Sequence, residues 1–188
     1  MSEGDIEATT SYADTLRARL VMAYEACELS DLARAAVPIG EHELSTDGTI
    51  RSPGGVLADA VQVLMAAHHF LEAAVVFERM GGADWDLVGD VLGTSAHSAR
   101  KRFAMAETRF RRELRSPEVI DSTGILGDLT WWRSHMIREP LEAALDLDDW
   151  VLRHTDGDEG GGGDGDLGVA PVSGRLGAVP SRSRCSRR

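Results

Sequence analysis

Apolar residues recur at helical spacing along most of the chain, and the rhythm changes where Gly and Pro interrupt it. From Tyr12 to Val37 they fall at Leu16, Leu20, Ala23, Cys27 and Ala35, mostly three or four apart, which predicts an amphipathic helix ended by Pro38 and Gly40. Residues 1–10 are small and acidic and read as frayed. Residues 38–55 hold Pro38, Gly40, Asp47, Gly48, Pro53, Gly54 and Gly55 and read as a connecting loop. Val56 to Met80 carries the strongest signal. Leu57, Val61, Leu64, His68, Leu71 and Val75 alternate spacings of four and three, flanked by Ala60, Ala67 and Ala74. So wide an apolar face predicts a mostly buried helix, closed by Gly81-Gly82.

Asp84 stands where a helix cap is wanted, and Trp85 to Leu92 forms a short helix ended by Gly93. Ser95 caps the next helix, Ala96 to about Arg115, which Ser116-Pro117 stops. Leu126–Arg138 and Leu141–Arg153 read as two further helices, with Pro140 tolerated at a helix start. From Asp156 onward Gly, Asp, Ser, Pro and Arg leave little to bury, and residues 156–188 read as a disordered tail. The expected fold class is therefore all-α, a helical bundle containing a helix-turn-helix. Its parts are an N-terminal helix 1–37, a linker 38–55, a helix-turn-helix domain 56–115 and a C-terminal extension 118–155 before the tail.

The pair of helices around Gly93 fits that motif for steric reasons. The first helix must approach the second closely, so a small residue belongs in its middle; Gly89 is there, between Val88 and Leu92. The turn needs a residue at home with positive φ, which Gly93 supplies. At 100° per residue, Ala96, Ala99, Phe103, Ala106, Phe110 and Leu114 share one side of the second helix. His97, Ser98, Lys101, Met105, Thr108 and Arg112 share the other, with Arg100 and Arg102 flanking the stripe.

Composition supports helix: 43% of residues are hydrophobic and only 5% aromatic. The net charge of -11 argues against nucleic acid as a partner when taken whole. Its distribution argues otherwise. Residues 100–115 carry Arg100, Lys101, Arg102, Arg109, Arg111, Arg112 and Arg115 against Glu107 and Glu113, a local excess of five positive charges. Acid is concentrated elsewhere, with seven carboxylates in residues 1–37 alone. A cationic stripe releases counterions from phosphates even on an acidic protein.

Trp85-Asp86-Leu87-Val88-Gly89-Asp90-Val91-Leu92-Gly93-Thr94-Ser95, followed by Ala99-Arg100-Lys101-Arg102-Phe103, resembles the helix-turn-helix of actinobacterial DNA-binding regulators. It is also similar to region 4 of bacterial sigma factors. The likeness covers residues 70–114. It implies double-stranded DNA as partner and Ser95, His97, Ser98, Arg100, Lys101 and Arg102 as contacts, to which the basic face adds Arg109 and Arg112. Thr94, Ala99 and His97-Ser98 depart from the commoner residues of that motif. No second sigma-like region is visible.

Other constellations read more plainly. His68 and Glu72 lie one turn apart, but no third ligand is near, so His68 reads as structural and no metal is expected. Asp146, Asp148 and Asp149 read as a solvated helix face, and Trp131, Trp132 and Trp150 as packing for the C-terminal helices. No nucleophile elbow or Cys/His pair is present, so no enzyme and no cofactor is expected. Two distant cysteines suggest a reducing cytoplasm, and no apolar run suggests a membrane span. A sequence-specific DNA-binding regulator is the first expectation. The alternative is a helical protein-interaction module, antitoxin-like or accessory, that keeps the motif as scaffold. A ligand sensor using Trp131 or Trp132 is a third. A homodimer or another protein could pair through the N- or C-terminal helices.

Overall fold

The computed structural model describes residues 3–40, 43–115, 132, 135–155 and 170–175. These residues are all-α: helices α1 (Glu3–Ala35), α2 (Gly55–Met80), α3 (Trp85–Val91), α4 (Ala96–Arg115) and α5 (Pro140–Thr155). Residues 135–138 are also helical. A single 3-10 turn spans Ser173–Arg175. The only β feature among the described residues is an isolated bridge, Leu44 to Ile50. It sits in the expected loop and is closed by Ser45 and Thr49 around Gly48, whose φ is +80°.

α1 and α2 form a long antiparallel hairpin, pinned at one end where the Thr15 hydroxyl donates to the Met80 carbonyl (2.9 Å). α1 begins at Glu3, not at Tyr12, so the expected fraying is corrected for residues 3–10, while residues 1 and 2 lie outside the described residues. The main core joins Ala18, Leu20 and Val21 of α1 to Ala73, Val76 and Met80 of α2. Phe110 of α4, Met136, Ile137, and Ala143, Ala144 and Leu147 of α5 complete it. A second, smaller core gathers Val75, Val88, Ala99 and Phe103, with Leu71, Trp85 and Leu92 beside it. Val75 and Val76, neighbours on α2, thus face different cores.

Three expectations need correction here. α2 is not mostly buried: its C-terminal half supplies both cores, but Leu57 and Leu64 are each 69% exposed. Periodicity gives a helix its faces; it does not supply a partner for each of them. By length and composition α2 would suffice to cross a membrane, although it carries Asp59, His68, His69, Glu72, Glu78 and Arg79. Asp148 is buried, not solvated. Its carboxylate accepts the backbone N–H groups of Val172 (2.6 Å) and Ser173 (3.2 Å). That bond and the packing of Val172 on the main core give residues 170–175 an ordered place within the expected tail.

The C-terminal tryptophans pack as expected where described. Trp132 stacks on Tyr24 at 4.2 Å, and the Trp150 indole donates to Asp31 (3.1 Å), docking α5 on α1. Of the expected helix Leu126–Arg138, residues 126–131, Trp131 among them, and 133–134 lie outside the described residues.

Candidate nucleic-acid interface

The α3–α4 unit is built from local rules. Asp84 caps α3, its Oδ1 accepting the Leu87 N–H at 2.8 Å. α3 runs two turns, and Gly93, at φ +64°, turns the chain. The Ser98 N–H donates to Ser95 Oγ at 3.2 Å, so Ser95 caps α4 as its sequence position predicts. The Ser95 hydroxyl also donates to Ser98 Oγ (2.9 Å), orienting two expected contact residues together.

Gly89 is buried at the closest approach of the two helices. A Cβ there would lie 2.8 Å from the Ala96 nitrogen and 2.9 Å from the Thr94 oxygen, distances real Cβ atoms do not show. The Thr94 N–H donates to the Gly89 carbonyl across the same contact (2.9 Å). Glycine at 89 is therefore a steric requirement.

α4 has two distinct sides. Ala99, Phe103 and Phe110 are buried, with Phe103 fully so, and Ala96, Ala106 and Leu114 are half-buried. His97, Ser98, Arg100, Lys101, Met105, Thr108, Arg109 and Arg112 face solvent. Lys101 is uncovered, and α3 and α4 are separate helices set apart by the Gly93 turn.

The cations divide by what holds them. Glu107, between Arg79 and Arg111, accepts from Arg79 Nε (3.1 Å) and Arg111 Nη2 (2.9 Å). Burial pushes its carboxyl up, but the bonds and charges of the two arginines outweigh this and hold it below its ordinary value. Arg79 also lies over the Trp85 ring at 4.5 Å and donates to the Ala83 carbonyl. It thereby ties α2, the start of α3 and α4 together. Arg102 is exposed but engaged, its Nη2 lying 3.1 Å from His68 Nδ1. His68 Nε2 in turn stands 3.6 Å from Glu72. His68 is thus an exposed link between α2 and α4, not the apolar-row residue that its spacing predicts. Sequence reasoning missed both the Arg79–Glu107 pair and the His68–Arg102 link, since residues 28 and 34 apart carry no local signal of contact. Arg100, Lys101, Arg109 and Arg112 have no ion pair among the described residues, and they form the open cationic set.

Asp84, Asp86 and Asp90 are exposed on and beside α3, so the short helix is acidic where α4 is basic. Among the described residues no group of three or more His, Cys, Asp or Glu is gathered as a metal site requires. The half-buried Cys27 thiol is pushed up to about 11 by burial and by Asp31 and Glu28, so it stays protonated at neutral pH. In comparisons with known proteins, the chain matches no protein-family model, no curated protein and no solved structure.

Proposed function

We propose that the chain binds double-stranded DNA through α3 and α4 acting as a helix-turn-helix, as a transcriptional regulator without catalytic activity. The observation that carries this reading is the division of α4: a buried stripe fixes its orientation, and the opposite side presents Ser98, Lys101 and Arg112 outward beside Arg100 and Arg109. A helix so held can lie in a major groove, with Lys101 and Ser98 at base edges and Arg100 and the Ser95 cap at phosphates. The acidic α3 supports the second reading, a protein-interaction module, because Asp86 and Asp90 would stand near the DNA backbone and oppose it.

Fluorescence anisotropy of a labelled mixed-sequence duplex, titrated across salt concentrations, separates the two. DNA binding predicts retention that weakens steeply with salt, and Arg100→Ala should reduce the log–log slope by about one. Lys101→Ala should cost about 1–3 kcal/mol of discrimination at a selected site. Arg100 and Lys101 are exposed and have no ion pair among the described residues, so these changes spare the fold. Replacing Arg102 would also cut its link to His68 and is the less clean variant. Absence of retention at low salt, or retention indifferent to both substitutions, would overturn the reading.

A further inference from the structure

Arg102 is exposed on α4 yet stands outside the open cationic set, because its Nη2 lies 3.1 Å from His68 Nδ1 on α2. A guanidinium has donors only and stays charged. Nδ1 must therefore accept, with its lone pair free, and the neutral ring carries its proton on Nε2. That nitrogen stands 3.6 Å from the Glu72 carboxylate. This link between α2 and α4 thus exists only while His68 is neutral. Protonation puts an N–H on Nδ1, which removes the acceptor and sets two cations face to face. Glu72 holds the imidazolium from its other nitrogen, so the ring stays and the arginine leaves. From α4 the charged group facing His68 is Arg102, and from α2 itself it is Glu72. No residue of α1 or α3 makes a hydrogen bond or ion pair with His68 among the described residues. The Phe103 ring, 4.9 Å from the Arg102 guanidinium, is indifferent to that proton.

We propose that His68 gates Arg102: neutral, it ties the arginine back to α2, and protonated, it releases Arg102 to join Arg100, Lys101, Arg109 and Arg112 in contacting phosphate. The release stands on the geometry alone, and the phosphate contact rests on the DNA reading. Histidine changes charge between about pH 5 and 8, so the gate operates near neutral pH. One proton makes two cations available beside α4, the freed guanidinium and the imidazolium itself. DNA binding therefore tightens as pH falls. The link is exposed, so releasing it brings no more than the worth of one hydrogen bond, about two- to tenfold in affinity.

Two measurements on the full chain test this. The first needs no DNA. By nitrogen-15 NMR, the order parameter of the Arg102 Nε–H should fall as His68 titrates, between about pH 8 and about pH 5. In His68→Ala, a change at an exposed position, it should be low throughout that range. The second is anisotropy of the labelled mixed-sequence duplex at fixed ionic strength. At about pH 8, His68→Ala should bind about two- to tenfold tighter than wild type, because its Arg102 is already free. At about pH 5 that advantage should be gone. His69 and His97 titrate in both proteins and cancel in the comparison. In an Arg102→Ala background, His68→Ala should bring no gain at either pH. An Arg102 order parameter that ignores pH overturns the release. A His68→Ala variant that retains the duplex no more tightly than wild type at about pH 8, or that gains equally without Arg102, overturns the phosphate contact. A duplex retained by neither protein fails the DNA reading and the contact with it, while the order parameter still decides the release.

Discussion

Two glycines in the α3–α4 unit matter for different reasons, and substitution separates them. At Gly89 an added methyl meets backbone atoms of Ala96 and Thr94. Alanine gains about 1 kcal/mol over glycine inside a helix, but overpacking against backbone costs about 1–3 kcal/mol. Because the methyl meets backbone that cannot swing aside, the steric cost wins: Gly89→Ala should lower the unfolding free energy in urea titration by up to about 2 kcal/mol net. Gly93 faces open space, yet its φ of +64° strains any residue with a Cβ. Gly93→Ala should cost about 1–2 kcal/mol, and Gly93→Asn should recover part of that because asparagine tolerates the left-handed region. Gly89→Asn should recover nothing. Glu107 adds a pH dependence. Its carboxyl is held below the ordinary 4.5 in the fold, so its contribution is complete above that pH and lost as pH falls through the folded value. Glu107→Gln should therefore lower the melting temperature at neutral pH, by a loss of about 1–3 kcal/mol, and flatten the acid limb of a melting-temperature profile. Both glycines were legible in the sequence, since a tight crossing demands a small residue and a turn demands positive φ. The role of Glu107 was not, because its main partner, Arg79, comes from another helix.

The elements differ in how far local pattern determines them. α4 was readable in full: rotation at 100° per residue separates Phe103 and Phe110 from Lys101 and Met105, and the fold buries the first pair and exposes the second. α2 was readable only as a helix with an apolar face. Which half of that face is covered depends on where α3 and α4 dock, and spacing does not encode that. Asp148 was misread for a related reason. A carboxylate in an acidic run reads as solvated, and only the return of Val172 and Ser173, more than twenty residues on, gives it a buried use. Asp148→Ala should release residues 170–175 and destabilise the protein by about 1–3 kcal/mol, as hydrogen bonds to a charged acceptor are worth. Protease cleavage near Val172 should accelerate in that variant, and Asp146→Ala, exposed on the same helix, is the control that should not change it.

Across the whole molecule, charge is segregated while the net value stays acidic. Cations gather on α4, and carboxylates dominate α1 and flank α3. Diffuse acid repels a polyanion at long range, and salt screens that repulsion as it screens the attraction of the cations. Association rates with a DNA duplex, measured by stopped flow, should therefore be slower than for an equally basic patch on a neutral protein. In the Arg79–Glu107–Arg111 cluster the single carboxylate offsets one of the two arginines, so the cluster adds one net positive charge rather than two. The smallness of the second core has its own result. α3 is held by Val88, by the close crossing at Gly89 and by the Trp85–Arg79 stack, while α4 is also anchored in the main core through Phe110. Local opening should follow that asymmetry. Under native-state deuterium labelling, the amides of residues 85–91 should exchange well before those of 103–110, through a motion that unlatches the short helix and leaves the rest of the protein folded.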